Sequence, residues 1–155
     1  MSDFQKIWFR LHQDEDGYPP AQAETVSAVS FSEETYVLEN VPFFARGVSL
    51  GDLISTSEDS EGRKWFQSVL KPSGHSTVRV IVFRNSGDPL PLEERVAALR
   101  RRFAELGCTT ELSHVSGLFA VDVPPAVDYS KVHNLLEEGN AKYWDYEEAS
   151  IRHPT

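Results

Sequence analysis

Thr77-Val78-Arg79-Val80-Ile81-Val82-Phe83, with the stretch from Leu92 to Leu106 downstream of it, decides the fold of this chain. The first segment alternates, with Val78, Val80 and Val82 on one face and Arg79, Ile81 and Phe83 on the other. That period of two predicts a strand. In the second, Val96, Leu99, Phe103 and Leu106 recur at helical spacing and form one apolar stripe. Glu93 and Glu94 open this helix and Arg100 to Arg102 close it, as the helix dipole favours, and Gly107 stops it. Working outward, Thr109–His114 and Leu118–Val123 read as a hairpin around Ser116-Gly117. Tyr129–Glu138 reads as a second helix, with Asp128 as N-cap and Gly139 as stop. Lys142–Ile151 reads as an aromatic closing strand. The order from Thr77 onward is therefore β-α-β-β-α-β, the split βαβ or ferredoxin-like arrangement.

Upstream the rhythm differs. Lys6–His12 is rich in β-formers, and Asp14–Pro20 is a loop that Gly17 and the Pro pair remove from any ladder. Thr25–Phe31 and Thr35–Leu38 read as a hairpin turning at Ser32-Glu33-Glu34. Val48–Thr56 and Lys64–Leu70 read as two further strands. Five short strands at close spacing predict a small curved antiparallel sheet or partial barrel. The whole is α+β, with Pro72-Ser73-Gly74 dividing a β-rich subdomain, 1–72, from a ferredoxin-like subdomain, 73–155.

Bulk properties narrow the function. The chain of 155 residues, 40% hydrophobic with nine Phe, five Tyr and three Trp, is long enough for a real core and too apolar for disorder. Its formal charge of −9 disfavours nucleic acid and anionic lipid and favours a basic protein surface or a cation. Residues 1–71 carry 12 acidic and 6 basic side chains, and the remainder 12 and 9, so most of the excess lies in the N-terminal half. The single cysteine, Cys108, admits no internal disulfide and fits a reducing compartment. The opening Met1-Ser2-Asp3-Phe4-Gln5 lacks the basic and apolar regions of a secretory leader, and no apolar run approaches a membrane span. A soluble cytoplasmic protein is expected.

Four stretches invite a chemical reading. Asp14-Glu15-Asp16-Gly17 is half of a calcium-loop pattern, but Pro19, Pro20 and Ala21 stand where the pattern continues, and Glu24 comes too late. It reads better as a solvated acidic turn before a rigid Pro-Pro segment, and a third reading is a rigid acidic edge offered to a basic partner. Ser73-Gly74-His75-Ser76-Thr77 is the most enzyme-like stretch. Neighbours on a strand face opposite ways, so His75 and Ser76 are poorly placed to act as base and nucleophile on one another. Val41-Pro42-Phe43-Phe44-Ala45-Arg46-Gly47 places two Phe beside an Arg, residue types favoured at binding hot spots, although core packing with Arg46 paired to an acid is an equal reading. Tyr143-Trp144-Asp145-Tyr146-Glu147-Glu148 is an aromatic strand studded with carboxylates, able at a sheet edge to offer anchors and charge together. Arg100 to Arg102 fan over about 200° of a helix and do not converge on one ligand. His114 and His133 lack ligand-spaced partners for zinc. No cofactor, metal set or catalytic constellation is expected.

In this order, the segments 13–20, Val41–Gly47 continuing through Gly51-Asp52, and Ser73–Val80 resemble an uncharacterised bacterial family known only as a domain of unknown function. The resemblance covers most of the chain and implies no activity. Small acidic cytosolic families of this sort are similar in type to immunity proteins, which bind and block a toxin aimed at sibling cells. The expectation is a protein-binding module that occludes a basic toxin domain through Asp14, Glu15, Asp16, Trp144, Asp145, Glu147 and Glu148. The alternative is a small-molecule or enzymatic cleft between the halves, lined by Tyr18, Arg46, His75 and Ser76. A third is a scaffold that dimerises through its sheet.

Overall fold

A computed structural model describes residues 4–154. The first three residues used in the leader argument lie outside it. The architecture is mixed α+β, with two sheets and two helices. Strands β1 (Phe4–Arg10), β2 (Ala23–Ser32), β3 (Thr35–Leu38), β4 (Leu53–Glu58) and β5 (Lys64–Lys71) make the first sheet. Successive neighbours pair antiparallel, and β5 returns to β1. A meander of five strands has its first and last running the same way, so closure must be parallel. Ile7 pairs with Lys64 and Trp8 with Trp65 in that sense. The expected curved sheet or partial barrel is thus a closed barrel, and closure removes its free edges. Its core is Ile7, Phe9, Val26, Ala28, Tyr36, Leu38, Val48 and Ile54.

The closing pair is clasped from outside. Trp8 and Trp65 lie 5.7 Å apart, Arg10 sits 4.5 Å over Trp65, and Arg63 reaches over both rings. Asp59 ties this clasp together, accepting from Arg63 Nε and Trp65 Nε1, both at 2.8 Å. Those bonds, the indole's first, hold its carboxyl well below the usual aspartate range.

The second half runs β6 (Ser76–Val82), α1 (Leu92–Glu105), β7 (Thr109–Leu112), β8 (Leu118–Val123), α2 (Tyr129–Glu138) and β9 (Trp144–Ser150). Its sheet has the order β7-β8-β6-β9, with every neighbouring pair antiparallel. Val78, Val80 and Val82 face the helices and pack with Val96, Leu99, Phe103 of α1 and Val132, Leu135, Leu136 of α2. The opposite face, bearing Thr77 and Arg79, meets the barrel. The layers are therefore helices, sheet and barrel, each half with its own apolar core.

Two local readings change. Residues 48–52 do not extend β4. Ser49 N–H donates to Asp52 Oδ2 at 2.9 Å and Asp52 N–H returns to Ser49 O at 3.1 Å, a turn that needs Gly51 at φ +83°. The buried Val48 lengthened the apolar pattern without being part of the ladder. Trp144 is not an exposed anchor. It is buried, its indole donates to Leu136 O at 2.8 Å, and its ring fills the space beside Gly139 where any Cβ would approach to 2.5 Å.

Candidate functional site

The sheet and barrel meet along a seam whose two ends differ in kind. At one end, residues 42–47 are gripped from both sides. Glu24 of β2 accepts from the N–H groups of Phe43, Phe44 and Ala45. Arg79 of β6, only 3% exposed, donates to the carbonyls of Pro42, Phe44 and Ala45. One acid takes the segment's donors and one base its acceptors, which satisfies a non-helical loop between two layers. Arg79 also holds Glu147 of β9, with Nε 2.8 Å from Oε1 and Nη2 on the same oxygen. Glu147 Oε2 accepts from Arg46, whose side chain is 74% exposed.

Against this end folds the Asp14–Tyr18 loop. Asp14 Oδ1 accepts from the N–H groups of Asp16 and Tyr18, both at 2.9 Å, so the acidic tip is held by its own backbone. The Tyr18–Pro19 peptide bond is cis. The Tyr18 ring meets Phe44 edge-on at 6.0 Å, and Phe44 meets His114 in the same way at 6.5 Å. Two open cavities flank Tyr18 and Glu147. One, about 370 Å³, is bordered by Arg10, His12, Asp14, Phe44 and Arg46. The other, about 400 Å³, adds Arg79, Ile81 and Asp145. Partial burial, reinforced by the Glu147 charge, raises the Tyr18 phenol above its ordinary value. At neutral pH that hydroxyl keeps its proton and can donate.

The other end of the seam is closed. Asp52, fully buried, accepts from Ser49 N–H and Ser73 N–H at 2.9 Å each and from Arg152 Nη2 at 3.1 Å. Thr77 donates to Ser49 Oγ at 3.0 Å, and Ser49 to Ser150 Oγ at 2.8 Å. Ser76 is fully buried and lies 2.6 Å from His153 Nδ1. His153 Nε2 donates to Pro124 O at 2.8 Å, so Nδ1 accepts the Ser76 proton. The same serine oxygen accepts from Arg152 N–H and His153 N–H. Every contact of this hydroxyl is spent inside the protein. His75 faces the other way, with Nδ1 2.9 Å from Asp122 Oδ1. Burial raises the Asp122 carboxyl, with the His75 hydrogen bond opposing it. Among the described residues every buried side-chain polar atom has a partner.

The residues singled out in the sequence are thus sorted by place. Asp14, Tyr18, Arg46, Asp145 and Glu147 converge at the open end, with Glu15 and Asp16 exposed on the loop beside them. His75 and Ser76 do not join Tyr18 and Arg46. They lie three to four strand residues from Arg79, roughly 10–13 Å along β6. Glu148 faces the helices, accepts from the Tyr129 hydroxyl, and borders a separate depression of about 750 Å³ with His133 and His153. Glu24, Asp52, Arg79, Asp122, Arg152 and His153 organise the seam without having been singled out. The one available signal was Arg79, a charge in a valine run on a strand buried on both faces. Among the described residues no group of three or more His, Cys, Asp or Glu could hold a metal ion, and no helix is long and apolar enough to cross a membrane.

The two-sheet α+β fold is shared with a solved structure, a hypothetical protein from Neisseria gonorrhoeae, with TM-score 0.73 over 97% of this chain and 96% of that one, at 18% identity. The model of an uncharacterised family, Domain of unknown function (DUF4265), matches residues 24–146, and the chain belongs to that family. Among curated proteins none matches.

Proposed function

We propose that this chain is a protein-binding module of the immunity type, a cytoplasmic inhibitor that neutralises a basic toxin domain by covering its active site. The observation that carries the proposal is the meeting of two acidic stretches, Asp14–Asp16 and Asp145–Glu147, around the half-exposed Tyr18 at the open end of the seam. Inhibitor interfaces need about 800 Å² per partner and a few aromatic or charged anchors, which this region supplies. The excess of acid over base adds attraction for a basic surface. In this reading the second half follows the ferredoxin-like plan. Subdomains 1–72 and 73–155 act as one rigid platform, welded by Arg79 and by Asp52 with Arg152.

Affinity capture of the tagged protein from its native lysate, at low and high salt, tests the proposal. A single stoichiometric basic partner that dissociates at high salt is the expected result. A clean preparation with no partner would reject it. One observation favours the enzymatic alternative, namely the buried Asp122 holding His75 Nδ1. Such a carboxylate fixes a histidine's tautomer and leaves Nε2 for chemistry. Full biological activity in His75→Ala would remove that alternative.

A further inference from the structure

We infer that Arg46 stands in for a guanidinium of the binding partner, and that Glu147 Oε2 is the oxygen for which the two compete. The inference rests on the protein-binding reading and names the group recognised. Glu147 is divided in its duties. Its Oε1 is held by two N–H groups of Arg79, whose side chain is 2% exposed, so the carboxylate is fixed from the protein side. Its Oε2 borders the cleft and, among the described residues, carries only Arg46. The backbone of residues 43–45 is pinned by Glu24 and Arg79, whereas the Arg46 side chain projects 74% exposed from it. Arg46 can therefore leave without moving the loop that bears it.

An exposed ion pair of this kind is weakly held, so displacement is inexpensive. A guanidinium arriving at Oε2 would lie beside the rings of Tyr18 and Phe44, which offer it planar aromatic surface. The Asp14 carboxylate, fixed by two backbone N–H groups, borders the same cavity. An anionic ligand is less well served. It would meet the Asp14 and Glu147 carboxylates that border the same cavity.

The test is an NMR titration of the ¹⁵N-labelled full chain with N-acetyl-arginine amide, and with its uncharged citrulline counterpart. The arginine probe should shift the amides of Tyr18, Phe44 and Arg46, and the citrulline probe should not. Arg46→Ala removes the competitor while leaving the Arg79–Glu147 pair in place, and should tighten arginine binding roughly two- to fivefold. Tyr18→Ala should weaken it. Unchanged or weaker binding by Arg46→Ala, or shifts confined to another surface, would overturn the inference. A captured protein partner indifferent to both Arg46→Ala and Tyr18→Ala would also overturn it while leaving the binding-module proposal intact. Arginine binding as described, with no protein partner retrieved, would uphold the cleft and reject the toxin-inhibitor reading.

Discussion

The two ends of the seam use the same kinds of residue to opposite ends. At the closed end the buried Asp52, Ser76, Thr77 and His153 have their polar contacts inside the molecule. At the open end Asp14, Tyr18, Arg46 and Glu147 are equally polar but keep faces and atoms directed at solvent. The difference teaches that a serine–histidine or acid–arginine pair carries no functional meaning until its remaining hydrogen-bonding capacity is counted. A pair with nothing left over is architecture. A carboxylate with one oxygen held rigidly and the other bonded to an exposed, displaceable side chain is a candidate for recognition.

The comparison breaks most clearly at Arg79, which belongs to both roles by holding the 42–47 segment and Glu147 together. Arg79→Ala leaves Glu147 Oε1 and three carbonyls without their donor, and should cost about 3–5 kcal/mol of stability, read from the urea midpoint. A cost below about 1 kcal/mol would show that the seam is not welded there. At the closed end, Ser76→Ala strands two N–H groups and His153 Nδ1, with an expected loss of about 1–3 kcal/mol in the same assay. If Ser76 were instead a nucleophile, its removal would abolish an activity and leave the midpoint in place.

A smaller effect distinguishes the ends by pH. The Asp122 carboxyl is raised by burial above its ordinary value of about 3.8. A carboxyl shifted upward contributes stability below the unfolded value and loses it as pH rises through the folded one. The stability difference between wild type and Asp122→Asn should therefore fall as pH rises from about 3.8. A flat difference curve would mean that His75 offsets the burial completely. The smallest change is expected at the open end, where Asp14→Asn and Asp16→Asn together should move stability by no more than about 0.5 kcal/mol for each exposed site. A larger loss would make the acidic loop a structural device.

Much of the fold was legible because the apolar periods are clean. The α2 helix with its Asp128 cap, the helix over Leu92–Leu106 and the strand from Thr77 follow directly from spacing and stop signals. The barrel's closure was less legible, since pairing between β1 and β5 depends on strand count and curvature, not on any local pattern. Trp144 shows another limit. Carboxylates around an aromatic suggest an exposed anchor, but on a strand Trp144 and Tyr146 share the helix-facing side while Asp145 and Glu147 take the other. At the candidate site, the sequence supplied the acidic loop, Tyr18, Arg46 and the β9 acids as separate items of chemistry. It could not say that Glu147 would meet Arg79 and Arg46, because such pairs are made by tertiary packing between distant elements. Nor could it exclude His75 and Ser76 from that cleft without the position along β6 that sets them apart from Arg79.

The most direct measurement is a paired capture from native lysate, using wild type and an Asp14→Lys/Tyr18→Ala/Asp145→Lys variant whose urea midpoint matches wild type. The account predicts that wild type retains a basic partner that is lost at high salt, and that the variant retains none. Equal retention by both proteins would contradict it, because the partner would then be bound somewhere other than the open end of the seam.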